Sequence, residues 1–220
     1  MQAAKLKRFL YLLVAISAAA WFALSYFLKV DISTAKGFFG LIPTVVVIDF
    51  MLILVFVKWG WKQKIFAGWL VKSPDISGTW LGHIYSDWTN QKTGESLPPI
   101  PVMLTISQSF FNISCLMRTS EMVSSSYGES LIINSEQQIK KLLYSYTSQP
   151  GLAVKERSST HDGTVVFEIF ETPKRKLNGR YWTERNTTGE IKLGYYSIEV
   201  LEQLPELFDF HPITDAENRD

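Results

Sequence analysis

"VKSPDISGTWLGHIYSDW", residues 71–88, divides the chain into two kinds of sequence. Before Ser73 the apolar residues come in long unbroken runs; after Gly78 they alternate with polar ones. Ser73, Pro74 and Asp75 form a helix-breaking cluster at the boundary. Gly78-x-Trp80 then reads as a strand opener. A glycine there lets a neighbouring backbone come close, and an indole is large enough to stop one end of a small closed sheet.

Working back from that boundary, "FLYLLVAISAAAWFALSYFL" (9–28) and "FFGLIPTVVVIDFMLILVFV" (38–57) are each long enough to cross about 30 Å of hydrocarbon. The first carries no charge, exceeds the apolar core of a secretory signal and is followed almost at once by the second. Residues 29–37 leave room only for a helical hairpin. Lys5, Lys7 and Arg8 precede the first span and Lys58, Lys62, Lys64 and Lys72 follow the second, against Lys29 and Lys36 between them. This bias predicts a multi-pass protein with both termini in the cytoplasm. Asp49 lies near the middle of the second span, where an ionised carboxylate costs roughly 2.5–3.5 kcal/mol. It is therefore a candidate assembly residue of the transmembrane part. The alternative is a protonated Asp49 bonded to Ser17 or Ser25 of the other helix. "KWGWKQKIFAGWLVK" (58–72) mixes Trp59, Trp61 and Trp69 with lysines, the composition of a segment at headgroup level.

Working forward, the period becomes two. Val102, Leu104 and Ile106 share a face, as do Phe111, Ile113, Cys115 and Met117; Val165, Phe167 and Ile169; and Ile191, Leu193 and Tyr195. About eight strands are predicted, over 78–86, 100–107, 110–118, 121–134 (bent at Tyr127–Gly128), 138–147, 164–171, 177–185 and 189–200. Residues 87–99 and 148–163 form the longer loops. Sequential antiparallel strands with short links favour closure, which removes exposed edges. The expected fold is a membrane-anchored all-β protein: a two-helix transmembrane hairpin, then a compact eight-stranded antiparallel up-and-down, calycin-like β-barrel. The expected division is hairpin 1–57, interfacial linker 58–75, barrel 76–200 and acidic tail 201–220, with Leu207, Phe208 and Phe210 available to dock the tail on the barrel.

The formal net charge of +1 conceals segregation: residues 1–72 carry +7, residues 73–200 carry −1 and the tail carries −5. A near-neutral β part argues against DNA or RNA polymers as partners, because these require many phosphate-facing cations. The single Cys115 rules out an internal disulfide framework. His83, His161 and His211 are scattered, no glycine-rich phosphate loop is present, and no catalytic or metal-binding set is suggested, so neither an enzyme nor a cofactor is expected.

The hairpin 9–57, "DISGTWLGHIY" (75–85) and "NGRYWTERNTTGEIKLGYY" (178–196) together resemble the two-transmembrane β-barrel effectors of CBASS, the bacterial cyclic-oligonucleotide anti-phage signalling systems. The resemblance spans residues 9–200. It implies a barrel that binds a cyclic dinucleotide made by a partner nucleotidyltransferase, self-association of the spans on binding, damage to the inner membrane and growth arrest.

Such a ligand needs aromatic faces for its bases and arginine or hydroxyl donors for its phosphates. Strand seven and its turn supply Tyr181, Thr183 and Arg185 on one face, followed by Asn186; Arg180, Trp182 and Glu184 take the opposite face. Tyr195, Tyr146, Arg118 and Tyr85 complete the candidate set. Core tyrosines with hydroxyls at the rim, and Arg185 stacked on Trp80, would be the structural alternative. "KRK" at 174–176 reads as a solvated turn. The rival function is a calycin-like binder of an apolar small molecule or lipid.

Overall fold

A computed structural model describes residues 3–214 except 90–93, 95, 135, 157 and 213, and the side chains of all of these but 3–5 and 153. Two compact units are present: Met1–Lys72 with Ser109–Phe111, and Ser73–Gln108 with Asn112–Asp220.

In the first unit, α1 (Ala3–Leu28) is a single helix, and α2 (Ala35–Gly40) and α3 (Ile42–Lys58) make an interrupted second one. Thr34 caps α2, its hydroxyl accepting from the Gly37 N–H at 3.2 Å. The interruption at Leu41 follows from Pro43 in the first turn of α3, which has no N–H to give to the preceding turn. Leu6–Leu28 and Ala35–Lys58 are long and apolar enough to cross a membrane, with mean hydropathies of 1.9 and 2.6. Their large side chains, among them Tyr11, Val14, Phe22, Phe50 and Met51, point outward and are exposed. Lipid tolerates such a surface and water does not. Ser17 donates to Asp49 Oδ2 at 2.7 Å, which is one of the two arrangements expected for this carboxylate. Asp49 Oδ1 and Trp21 Nε1 are buried with no hydrogen-bond partner. The segment after α3 folds as two 3₁₀ turns, Gly60–Lys62 and Lys64–Phe66. Trp59 and Trp69 are exposed, but Trp61 departs from the headgroup reading: it is buried in a cluster with Phe9, Leu70, Val71 and Phe110.

The second unit is a closed barrel in which every strand pairs with its sequence neighbours and β8 returns to β1. The strands are β1 (Gly78–Ser86), β2 (Ile100–Gln108), β3 (Ile113–Arg118), β4 (Met122–Asn134), β5 (Ile139–Pro150), β6 (His161–Phe170), β7 (Lys176–Thr183) and β8 (Thr188–Ser197). Period-two burial drives the closure: in β6, His161, Gly163, Val165, Phe167 and Ile169 are buried and their neighbours are not. The bend anticipated in β4 is a bulge at Tyr127, where the register against β5 skips between Ser126 and Gly128. Strands five and six are longer than the sequence pattern suggested, because His161 and Ser148 continue the inward alternation and pair with each other.

The lumen is filled at mid-height by Leu104, Leu142, Tyr144, Val165, Phe167 and Leu177, all almost fully buried. At the end where β1 begins, the barrel is stopped. Gly78 (φ +116°) lies against the Ser197 carbonyl, where a Cβ would come to 2.3 Å, so only glycine admits the chain there. Trp80 is fully buried and donates from Nε1 to the Ile76 carbonyl at 3.0 Å. Tyr195 meets it edge-on at 5.1 Å. The arginine that covers this plug is Arg175, not Arg185. It stacks 3.8 Å from the Tyr195 centroid and 5.3 Å from that of Trp80, and donates to the Asp75 carbonyl at 2.6 Å. The middle of "KRK" is thus a structural lid, since an arginine plane gains more from an indole and a phenol than from water alone.

After β8 the chain straps over the outer wall. The Thr79 hydroxyl donates to the Glu199 carbonyl at 2.6 Å and accepts from the Leu201 N–H at 3.0 Å. Phe208 stacks on His83 at 5.8 Å, and His211 pairs with Glu121 at 2.9 Å. The tail is therefore docked through Phe208; Leu207 and Phe210 remain exposed. Its acidic end, 215–220, and residues 90–93 and 95 of the 87–99 connection lie outside the described residues.

Candidate functional site

The rim opposite the plug is formed by the ends of β1, β3, β5 and β7 and the starts of β2, β4, β6 and β8. Inward alternation along β5 and β7 delivers Tyr146 and Ser148, and Tyr181 and Thr183, to this rim. Two glycines make room for the phenols. A Cβ on Gly163 would meet Tyr146 Cζ and hydroxyl at 2.6 Å, and one on Gly189 would meet Tyr181 Cε1 at 2.7 Å. Each tyrosine thus lies across a strand that has no side chain at that point.

The turn between β7 and β8 holds Arg185 over the same opening. Asn186 supplies its one left-handed residue (φ +59°), a conformation asparagine tolerates better than most. Thr183 and Thr187 share a hydroxyl–hydroxyl bond of 2.7 Å across the turn. Arg185 donates to Ser158 Oγ at 3.1 Å. Ser124 donates to Ser148 at 2.9 Å within the rim.

These groups sense one another electrically. Burial pushes the Tyr146 phenol well up, the neighbouring Tyr181 adds to this, and Arg185 opposes it. Tyr181 is raised for the same first reason, with the Ser86 hydroxyl and Arg185 pulling it back. His161 is held below its ordinary value, chiefly by burial; its bond to the Ser159 carbonyl at 3.0 Å opposes the shift and Arg185 reinforces it. Both phenols therefore stay neutral and act as hydrogen-bonding aromatic faces. The rim also carries acids. Asp87 is drawn below the usual carboxylate range by Thr188, which donates from its hydroxyl at 2.5 Å and its N–H at 2.8 Å. Asp162 accepts from Thr147 at 2.7 Å and Glu184 accepts from the Asp162 N–H at 3.0 Å.

The structure thus brings Tyr146, Tyr181, Thr183, Arg185 and Asn186 to one rim. Tyr195 sits at the other end, under Arg175. Arg118 has the parity opposite to Cys115 and Met117 and lies half-buried on the outer wall. Tyr85 also faces outward, with Lys192 5.0 Å from its centroid. Arg180 and Trp182 line a shallow outer groove with Glu190 and Lys192, in keeping with their parity. Sequence reasoning missed His161, Ser124, Ser148 and Ser158. The first and third were concealed by treating 148–163 as loop, although "HDGTVVFEIF" alternates from His161 onward.

Such a rim can stack planar groups and donate to anions. A family model described as the Cap15 cyclic dinucleotide receptor domain matches residues 71–194, which is the barrel and little else. The chain belongs to this family. The CD-NTase-associated protein 15 of Staphylococcus schleiferi is similar to it, 26% identical over 185 residues that cover 81% of this chain and 93% of that protein. The Cap15 assignment agrees with the two apolar helices and the closed barrel, and it makes a cyclic dinucleotide the ligand class of the receptor domain. Among the described residues no group of three or more histidine, cysteine or acidic side chains could hold a metal ion.

Proposed function

We propose that this chain is a non-enzymatic, membrane-anchored anti-phage effector that captures a cyclic dinucleotide at the Tyr146–Tyr181–Arg185 rim. The observation that carries the reading is the convergence of two neutral phenols and an arginine on one opening, while the other opening is stopped by Trp80, Tyr195 and Arg175. Each base stacked on a tyrosine is worth about 1–3 kcal/mol. Arg185, with Ser148, Ser158 and Thr183, supplies donors to the two phosphates. The rim acids suit amino-bearing base edges rather than phosphate. Lumen packing by Phe167, Tyr144 and Leu104 disfavours an apolar guest held inside the barrel, and so weighs against the lipid-binding alternative.

The ligand would come from a nucleotidyltransferase, and both chain termini would lie on the cytoplasmic side of the inner membrane, where the lysine bias puts them. Ligand binding would drive self-association of the spans, disrupt the bilayer and arrest growth. The orphaned Asp49 Oδ1 and Trp21 Nε1 support a role for that helix pair in assembly, because unpaired polar atoms in lipid gain most from a neighbouring chain.

The test uses the full chain in detergent with a panel of cyclic dinucleotides, a linear dinucleotide and palmitate. Stabilisation by a cyclic dinucleotide alone is expected; a response only to palmitate refutes the proposal. In cells, Asp49→Leu should keep nucleotide binding and lose growth arrest. Undiminished arrest would remove Asp49 from assembly.

A further inference from the structure

The barrel is closed, but one seam is closed over only part of its length. β4 pairs with β5 all the way from Met122 to Asn134, yet with β3 only through Val123, Ser124 and Ser125. The bulge at Tyr127 turns the strand away from β3. Just before it, the Cys115 N–H is taken at 2.9 Å by Ser126 Oγ, a side chain standing in for a ladder carbonyl. Among the described residues, Gly128–Asn134 has no ladder partner on its outer edge. Seven residues at about 3.4 Å each make an edge of about 24 Å.

Edges of that length are ordinarily guarded by lysine, proline or an inward-turned charge. "GESLIIN" (128–134) carries no lysine and no proline. Its one charge, Glu129, is turned to the lumen side, where it accepts from Ser126. Ile132, on the outward side, is 46% exposed, and Tyr127 beside the edge is 62% exposed. Glu129 and the bulge therefore guard the start of this edge, and Ser130–Asn134 beyond them is an uncharged strand edge.

We propose that Gly128–Asn134 pairs antiparallel with the same segment of a second copy of this chain, joining two barrels through one continuous sheet. The occupant follows from what else the barrel offers. Among the described residues the other edges without a ladder partner are short, among them Ile113–Cys115 of β3, the two ends of β5, and the start of β2, where Pro101 lacks a donor. Only β4 of another copy presents a matching length. A two-fold pairing centred on Leu131 sets Ser130 opposite Ile132 of the second copy and Glu129 opposite its Ile133, so no like charges meet. This contact needs no ligand, and it stands or falls separately from nucleotide binding at the rim.

The experiment uses the full chain in detergent without nucleotide. With Ser130→Cys and Ile132→Cys together, mild oxidation should convert most of the chain to a covalent dimer. Val123→Cys, on the paired part of the same strand, should give only background. Ser130→Lys with Ile132→Lys puts cations face to face and should raise the half-dimerisation concentration more than tenfold, whereas Ser130→Glu with Ile132→Lys should restore it. A cross-link no stronger than that of Val123→Cys, or association of the double-lysine chain equal to that of the parent, overturns the proposal.

Discussion

Replacing Gly163 by alanine adds a single methyl group to β6, and the structure says what it would strike. The new Cβ would sit 2.6 Å from both Cζ and the hydroxyl of Tyr146, and 3.0 Å from the Trp182 carbonyl. Ordinary carbon contacts are about 3.5–4.0 Å, so the phenol must retreat by about 1 Å. The carbonyl is fixed by the β6–β7 ladder, in which Trp182 pairs with Thr164, and cannot yield far. Overpacking of this kind costs roughly 1–3 kcal/mol. Tyr146 would be driven towards the opening where a base would stack. Titration calorimetry of Gly163→Ala with the cognate cyclic dinucleotide should therefore show affinity reduced at least tenfold, with a lower melting temperature. Gly194→Ala, whose Cβ meets nothing nearer than a carbonyl at 4.0 Å, serves as control and should leave both unchanged. Adding Tyr146→Leu to Gly163→Ala should recover stability but not binding. Unaltered affinity in Gly163→Ala would show that Tyr146 does not receive the ligand.

Arg185→Ala should barely change stability, since the side chain is exposed, yet weaken nucleotide binding by about 10–100-fold, the range for losing a charge-assisted hydrogen bond; wild-type affinity in calorimetry would exclude it from the site. Arg175→Ala should lower the melting temperature through loss of its stacking on Tyr195 and Trp80, worth about 1–2 kcal/mol, and leave affinity alone; reduced affinity with unchanged stability would contradict the plug assignment. His161 binds its proton more weakly folded than unfolded, so its contribution to stability is whole above about pH 6.5 and is lost as pH falls below that. Thermal melts from pH 7.5 to 5.5 should slope downward with acid, and less so in His161→Gln; equal slopes would mean the imidazole is not desolvated.

Much of the fold was legible because burial and period coincide. Val165, Phe167 and Ile169, or Ile191 and Leu193, alternate so regularly that register and face follow from the letters alone. The two helices stood out for the same reason, as runs long and apolar enough to cross a membrane. Strand ends were harder. Ser148 and His161 are inward-facing polar residues, and a polar residue inside a barrel is indistinguishable from a loop until its strand partner is known. The candidate site was readable in part: parity put Tyr181, Thr183 and Arg185 together, but parity says only which residues face inward and not how far along the barrel each one lies. Tyr195 shares its face with Ile191 and Leu193 and still lies at the far end, because β8 runs the length of the barrel. Arg175 looked like a solvated turn because the two rings it stacks on, far apart in sequence, are brought together only by the β1–β8 pairing.

With its lumen packed at mid-height and its far end stopped by Trp80, Tyr195 and Arg175, the barrel is a cup rather than a pipe. Anything that settles at the brim must leave by the way it came, past the connections that follow β1, β3, β5 and β7. For a cyclic dinucleotide at the proposed rim site, residence time would then be set by those loops more than by the wall. Variation in their length offers a means of setting how long an alarm lasts without rebuilding the vessel that receives it.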